Sequence, residues 1–219
     1  LPQILVDAFV AVEDSRFFEH NGFDVPRFTK ALLSNIKTRS FSQGGSTFTM
    51  QLVKNTYFSN DEEGTTASRK GLSGVARKVQ EIALAMELEK SNEINKRTIL
   101  ELYLNKINFG GNRNIRGVQK ASEYYFGKDV SELNLAESAM LAGIINAPNA
   151  YNPFNNLELA TERRNQVLYL MNYHGYITDD EYKLAKNIKV EDLLVDYSKN
   201  NSSGSGSPYQ AYIDAVVSE

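Results

Sequence analysis

The stretch LNLAESAMLAGII, residues 133–145, decides the fold. Apolar and small residues fill nearly every position, so a helix built from it has no broad polar face and is buried on all sides. Its uninterrupted apolar run, Ala139 to Ile145, is far shorter than the roughly 20 residues that span a bilayer. We therefore predict a central helix inside a globular protein, ending ahead of Asn146-Ala147-Pro148 because proline disfavours helix at the preceding residue.

Helical spacing of apolar residues recurs on both sides of this stretch. Leu5, Ala8, Phe9 and Val12 follow the i, i+3, i+4, i+7 pattern of an amphipathic helix. The same reasoning predicts helices at 24–36, 46–55, 72–86, 92–105, 115–126, 157–173 and onward from a capping box at 178–181. Few segments alternate as strands do, so the predicted fold class is mainly α.

The helix predicted from residue 72 has the clearest periodicity. One apolar stripe, expected to face the core, comprises Leu72, Val75, Ala76, Val79, Ile82, Ala83 and Met86. Leu32 and Leu102, in two other predicted helices, are also expected to be buried. Arg77, Lys78 and Glu81 fall on the face opposite the stripe, where they form either a solvated charged surface or part of a binding site.

Composition limits the class of protein. The 219 residues are 42% hydrophobic, which suits one domain or one domain in two lobes. The net charge of -3 gives no global field for nucleic acid, so any anion site must be a local cluster. Cysteine is absent, which excludes disulfides and thiol chemistry. The chain begins at Leu1 without a visible signal peptide, and we expect an excised fragment whose upstream membrane anchor is missing.

Two segments lack helical periodicity. Residues 60–68 are rich in Asp, Glu, Gly, Thr and Ser and are expected to form a mobile surface loop. Residues 198–208 are almost entirely Ser, Asn, Gly, Lys and Pro, the composition of a flexible linker. The predicted organisation is one domain at 1–197, followed at 198–219 by a linker and the start of a further domain.

The first candidate site lies where the opening helix ends in acids and aromatics, at residues 13–20. Glu13 and Asp14 follow a packed apolar face, where a carboxylate can be held rigidly for general acid or base catalysis. The alternative is a solvated helix end, since acidic residues are mostly exposed. This stretch by itself leaves both interpretations open.

A second candidate is the sequence Gly44-Gly45-Ser46-Thr47 ahead of a short helix. Free backbone N–H groups at a helix start can bind an anion, although an ordinary Ser or Thr cap explains the same residues. The spacing is not that of a phosphate-binding Walker loop. His20 and His174 lie too far apart in sequence to suggest a metal-ligand set.

What remains is a pair of acids with a group of cations. Glu13 and Glu81 suggest sugar chemistry, which commonly uses two carboxylates. Lys54, Arg77 and Lys78 suggest a phosphorylated substrate.

At this point the residues resemble a known family, the peptidoglycan glycosyltransferases of glycosyltransferase family 51. EDSRFFEH at 13–20 resembles its first motif, ED-x-x-F-x-x-H, and GSTFTMQLVKN at 45–55 resembles the second, with Met50 where glutamine is frequent. RKVQE at 77–81 and ILELYLN at 99–105 are similar to the third and fourth. LAESAMLAG at 135–143 and PNAYNP at 148–153 extend the resemblance over nearly the whole chain.

The resemblance implies a mainly α, lysozyme-like large lobe with a smaller, mobile, membrane-proximal lobe. It implies polymerisation of lipid II with inversion and release of undecaprenyl diphosphate. Glu13 is then the general base, and Glu81 supports catalysis at the diphosphate, either by orienting the cations or by holding a divalent ion. The other implied roles are substrate binding by Ser46, Thr47, Gln51, Lys54, Arg77 and Lys78, and orientation by Asp14, Phe17 and His20.

The resemblance also implies partners and a location. No cofactor is required, although a divalent cation, Mg or Mn, is possible at the diphosphate. Expected partners are lipid II, the growing glycan chain, the membrane surface, the inhibitor moenomycin and other cell-wall synthesis proteins, but no nucleic acid. The expected location is the extracytoplasmic face of the bacterial cell membrane. The alternatives are a lysozyme-like peptidoglycan hydrolase and a non-catalytic lipid-binding module.

Overall fold

The computed structural model describes residues 1–38, 44–58, 72–91, 93–111 and 115–195. The predicted loop at 60–68 and the predicted linker from 198 lie outside these ranges. The helices are α1 (Gln3–Glu13), α2 (Val25–Thr38), α3 (Phe48–Tyr57), α4 (Leu72–Lys90), α5 (Lys96–Lys106), α6 (Val118–Phe126), α7 (Leu135–Ile144), α8 (Leu157–Tyr173) and α9 (Asp179–Asn187). Within the described ranges the only β-pairing is an isolated bridge between Asn108 and Arg116, so the mainly α prediction is confirmed.

Helix α7 is the buried centre that its composition predicts. Every residue from Ala136 to Ile144 is buried, and the helix packs against α8, α1 and α6. Asn134 and Glu137 form a capping box that satisfies the first N–H groups of the helix. The carboxylate of Glu137 is buried with the helix and lies 2.7 Å from the ammonium of Lys128, which offsets its desolvation.

The hydrophobic core divides into a large and a small part. The large part surrounds α7 and takes in residues of α1, α5, α6 and α8. The small part lies between α3 and α4 and consists of Met50, Val53 and Ala85, with Phe23, Phe58 and Ile82 packed against it. This second cluster lies between α3 and α4, the helices that carry the predicted cations; a smaller lobe that is mobile and lies at a membrane stays a prediction.

The orientation predicted for α4 is wrong for most of the apolar stripe, although Ile82 does pack against the small cluster and the side chain of Leu72 lies outside the described part. Val75 and Val79, on the predicted core stripe, are 63% and 59% exposed, and Met86 is 47% exposed. Glu81 and Ala85 are buried against α3 instead. Ion pairing permits the reversal, because Arg77 and Lys78 offset part of the desolvation cost of burying the Glu81 carboxylate.

Smaller differences concern α2, α5 and α6. Leu32 and Leu102 are 50% and 45% exposed, not buried as predicted. Helix α5 begins at Lys96 rather than near residue 92, because Asn95 caps it by accepting a hydrogen bond from the N–H of Thr98. Helix α6 begins at Val118, three residues later than predicted.

Helices α8 and α9 are joined by a buried arginine. Thr178 and Glu181 form the predicted capping box at the start of α9. At its end, Arg164 of α8 is 1% exposed and donates to the backbone carbonyls of Ala185, Lys186 and Ile188. Burial lowers the pKa of this guanidinium from its usual value. The carbonyl dipoles at the end of a helix are favourable partners for a cation, so this arginine fixes α9 onto α8.

Candidate active site

A cleft of about 870 Å³ opens where α1, α2, α3, α4 and α8 approach one another. It brings together seven of the residues predicted from the sequence: Glu13, Ser46, Gln51, Lys54, Arg77, Lys78 and Glu81. Four other predicted residues, Asp14, Phe17, His20 and Thr47, lie behind the cleft wall rather than on it.

Glu13 stands at the end of α1, partly buried, and is held by a chain of side chains. The amide nitrogen of Gln51 donates to Oε2 of Glu13 over 3.2 Å, and the hydroxyl of Tyr103 donates to Oε1 of the same amide over 3.1 Å. Tyr103 is fully buried, and this burial, with the charges of Glu13 and Asp14, raises its pKa well above 10. The phenol therefore stays protonated and keeps the Gln51 amide oriented toward Glu13.

Asp14 is fully buried behind Glu13 and joins three parts of the site. Its carboxylate lies 3.0 Å from Nε2 of His20, accepts the backbone N–H of Phe48 over 3.1 Å, and is 3.6 Å from a guanidinium nitrogen of Arg27. Phe48 is the first residue of α3, so Asp14 itself is the anion at this helix N-terminus.

Thr47 acts as a cap in this geometry. It is buried, and its hydroxyl accepts the N–H of Met50 over 3.2 Å and donates to the carbonyl of Gly22 over 2.7 Å. Two interpretations of the Gly-Ser-Thr segment were open, a helix cap and an anion site, and the structure shows the helix cap. The carboxylate of Asp14 occupies the place that an external anion would take. The substrate-binding role of Thr47 stays a prediction.

Phe17 and His20 pack against each other, and Phe17 also packs against the start of α3. Phe17 is fully buried and meets the ring of Phe48 edge to face with centroids 5.1 Å apart, and its ring centroid is 6.0 Å from that of His20. Such edge-to-face pairs favour one relative orientation of the rings. The segment between Asp14 and His20 is therefore fixed by aromatic packing and by the Asp14–His20 contact.

The cationic side of the cleft is built on α4. The ammonium of Lys78 lies 3.0 Å from Oε2 of Glu81 and donates to the hydroxyl of Ser46 over 2.7 Å. Nε of Arg77 lies 3.6 Å from Oε1 of Glu81. Glu81 as a residue is only 3% exposed. Lys54, in the last turn of α3, also lines the cleft and is exposed. Glu81 thus holds two cations at the cleft wall by ion pairing rather than facing a substrate freely.

The described residues do not fit a divalent cation beside these positive charges. Glu81 is the carboxylate nearest to them in sequence, and both of its oxygens are paired with Arg77 and Lys78. The one described group of three potential metal ligands is Asp14, His20 and Asp24. Asp24 already accepts from the guanidinium of Arg16, and Asp14 from the N–H of Phe48. In the described part of the chain, the carboxylates of Glu81, Asp14 and Asp24 are thus engaged by protein groups.

A third wall of the cleft was not predicted from the sequence. Arg27 and Lys30 of α2 line it, as do Arg163, Tyr173 and His174 at α8. The three-residue spacing of Arg27 and Lys30 places both on one helix face, which is a local signal; nothing local identifies the α8 residues. Burial, together with the positive charge of Arg27, lowers the pKa of His174 below 6.5.

Positive charge is therefore concentrated in the cleft although the whole chain is acidic. Six lysines and arginines line it against two carboxylates, those of Glu13 and Glu81. The net charge of the chain is -3. This concentration favours an anionic ligand, and the Glu13 carboxylate at one wall supplies a group that can accept a proton from it.

The mainly helical fold carries a cationic cleft with a carboxylate at one wall, an arrangement suited to transferring a group from an anionic donor. The chain belongs to the transglycosylase family, whose model, "Transglycosylase", matches residues 1–172. It is 39% identical to penicillin-binding protein 1A/1B of Bacillus subtilis and 41% identical to penicillin-binding protein 1A of Streptococcus pneumoniae, over its full length in both cases. These findings confirm the predicted enzyme class, a peptidoglycan glycosyltransferase.

The relatives are much longer than this chain. The chain covers 22% of the Bacillus subtilis protein and 28% of the Streptococcus pneumoniae protein. The crystal structure of penicillin-binding protein 1A from Haemophilus influenzae is 44% identical and covers 45% of this chain, with 14% of that protein matched and a TM-score of 0.42. In the described ranges, no helix combines the length and apolarity needed to cross a membrane.

Proposed function

We propose that the domain polymerises lipid II, with Glu13 as general base. Glu13 takes the proton from the 4-hydroxyl of an acceptor N-acetylglucosamine, and that oxygen attacks the anomeric carbon of a lipid-linked donor. The new glycosidic bond forms as the bond from that carbon to the diphosphate breaks, with inversion, and undecaprenyl diphosphate leaves. The observation that carries this proposal is that Glu13 and the cations Lys54, Arg77 and Lys78 line one cleft.

The leaving group determines what the rest of the site must do. A diphosphate leaves as a stable anion, so it needs positive charge placed in advance rather than a strong general acid. Lys78 and Arg77 are held in place by Glu81, and Lys54 adds a further cation. Ser46 orients the Lys78 ammonium, and Gln51 orients Glu13. Glu81 could either orient the cations or hold a divalent ion. Its ion pairs with Arg77 and Lys78 favour the first role.

The cellular setting forms part of the proposal. A lipid-linked substrate requires the cleft to lie at a membrane surface, and we propose the extracytoplasmic face of the bacterial membrane, with other cell-wall synthesis proteins as partners. Moenomycin, a phosphoglycolipid, is proposed to bind at the cations because its phosphate matches the charge of the leaving group.

The proposal is tested by incubating the domain with lipid II in detergent and resolving the products on a gel. We expect polymer from the wild type and none with moenomycin present. Glu13→Gln is expected to lower the rate by about 10²–10⁴-fold, the usual contribution of a general base. Glu19→Gln, which neutralises an exposed acid of the same segment outside the cleft lining, is the control.

Other outcomes would overturn the proposal. Polymer formation at the wild-type rate by a folded Glu13→Gln variant would remove Glu13 as the base. Release of soluble fragments from finished peptidoglycan, without consumption of lipid II, would point to a lysozyme-like hydrolase. Binding of lipid II without turnover by the wild type would point to a lipid-binding module.

A further inference from the structure

Lys96, the first residue of α5, does not line the cleft but contacts the segment behind Glu13. Its ammonium donates to the backbone carbonyl of His20 over 2.5 Å. The same nitrogen lies 4.4 Å from the centre of the Phe17 ring, over its face. A cation in this position is attracted both by the carbonyl dipole and by the ring. Lys96 therefore contacts Phe17 and His20, two of the three residues to which the family resemblance gives an orienting role.

The counter-charge of Lys96 comes from α4. Oε2 of Glu89 lies 2.6 Å from the Lys96 ammonium, and the Glu89 side chain is only 4% exposed. The other oxygen of Glu89 accepts a hydrogen bond from the hydroxyl of Thr49 in α3. One ion pair thus joins α3, α4, α5 and the segment from Asp14 to His20. No other described ion pair touches so many elements of the site.

Two steps lead from His20, which Lys96 contacts, to Glu13. The ring of His20 contacts the carboxylate of Asp14, and Asp14 is the residue that follows Glu13 at the end of α1. On the other side, Glu89 and Glu81 belong to the same helix, eight residues apart, or roughly 12 Å along its axis. A rigid α4 therefore relates the position of Lys96 to that of Lys78 and Arg77.

We propose that Lys96 is a positioning residue for glycosyl transfer, which holds the segment carrying Glu13 in register with the cations of α4. The assignment rests on the proposed function, because its readout is polymerisation. Buried ion pairs add little net stability but can specify a geometry. Here the ion pair specifies the position of Glu13, the base, relative to Arg77 and Lys78, the cations that receive the leaving group.

The kinetic consequence follows from where Lys96 lies. It is absent from the cleft lining, so its loss removes no direct contact with substrate. A displacement of reacting groups by about 1 Å can lower a rate by about 10²-fold. Loss of Lys96 is therefore expected to lower kcat while KM changes little.

The test compares Lys96→Met with Lys128→Met. Lys128 forms an ion pair with Glu137, and neither residue lines the cleft. The two acids are equally buried, and the side chains of the two lysines are similarly exposed. Both variants should lose comparable stability toward urea. Lys96→Met should lower kcat for lipid II by at least about tenfold with KM within about twofold, as misplacement of a reacting group requires. Lys128→Met should leave both constants near wild type, and Lys96→Arg should recover part of kcat.

A double variant keeps the test decisive if Lys96→Met fails to fold. Glu89→Gln/Lys96→Met removes both charges, so no buried carboxylate is left unpaired, yet the donor to the His20 carbonyl is still missing. We expect low kcat again. A kcat near wild type in Lys96→Met or in the double variant would overturn the assignment. Failure of the proposed function is recognised separately, because then the wild type itself forms no polymer.

Discussion

The hydroxyl of Tyr103 lies 3.1 Å from Oε1 of Gln51, and the nitrogen of that same amide lies 3.2 Å from Glu13. A residue in the buried part of α5 thereby helps to determine which way the amide presents its donor. Glutamine amides can flip, and both neighbours favour this orientation, because the Glu13 carboxylate only accepts and the protonated phenol donates to the amide oxygen. The donor beside Glu13 therefore depends in part on a tyrosine that does not line the cleft.

Tyr103→Phe is expected to keep the ring packing and lose this orientation. One neutral hydrogen bond contributes about 0.5–1.5 kcal/mol, so kcat should fall roughly two- to tenfold with lipid II as substrate. Tyr125→Phe is the control, because Tyr125 is equally buried but donates to the carbonyl of Phe109 over 2.8 Å. Equal kcat values for the two variants would contradict the proposed orientation of Gln51.

Lys78→Ala is expected to weaken moenomycin binding. A hydrogen bond to a charged group contributes about 1.5–3 kcal/mol, so the Kd should rise roughly 10- to 150-fold in a calorimetric titration. Lys183→Ala is the matched control, since Lys183 also pairs with an acid three residues away on a helix, Asp180, but outside the cleft. An unchanged Kd for Lys78→Ala would place the inhibitor phosphate elsewhere.

Gly22→Ala is expected to cost more stability than Gly175→Ala. Both glycines have φ near +80°, at +83° and +76°, a conformation that costs an alanine about 1 kcal/mol or more. At Gly22 an added Cβ would also lie 2.5 Å from the backbone oxygen of Ala85, whereas nothing lies within 4 Å at Gly175. Urea denaturation should therefore show a larger loss for Gly22→Ala, and equal losses would contradict the close approach to α4.

Asp24 should contribute to stability at neutral pH and lose that contribution in acid. Burial opposes its ionisation, but hydrogen bonds from Arg16 and from the N–H of Arg27 outweigh it and lower the pKa below 3.8. Because the folded-state pKa is the lower one, the contribution is complete above the unfolded value and declines as the pH falls through the folded value. Asp24→Asn should be less stable at pH 6, and its denaturation curve should approach that of the wild type near pH 2. A constant difference between the two proteins at both pH values would contradict this.

Local periodicity predicted most of the helices, and the motifs predicted two walls of the cleft but not the third. The bounds of α7 and α8 and the start of α9 follow from caps and apolar spacing, which depend on neighbouring residues alone. Seven predicted residues line the cleft because their motifs lie at the ends or on the faces of α1, α3 and α4.

The remaining features depend on contacts between distant parts of the chain. The orientation of α4 was mispredicted because apolar spacing cannot show that Glu81 is neutralised by its neighbours and buried. The contact of Lys96 with His20 joins residues 76 positions apart, and no spacing rule reaches that far. The α8 wall with Arg163 was missed for the same reason.

The buried arginine between α8 and α9 has a consequence for ionic strength. In the described part of the chain Arg164 pairs with backbone carbonyls and an asparagine side chain rather than a carboxylate. Dissolved salt screens exposed charges over about 10 Å at 0.1 M, but a buried charge that contacts fixed dipoles is screened much less. The attachment of α9 to α8 should therefore persist in concentrated salt. The same salt should weaken the binding of a phosphorylated ligand by the cations that line the cleft.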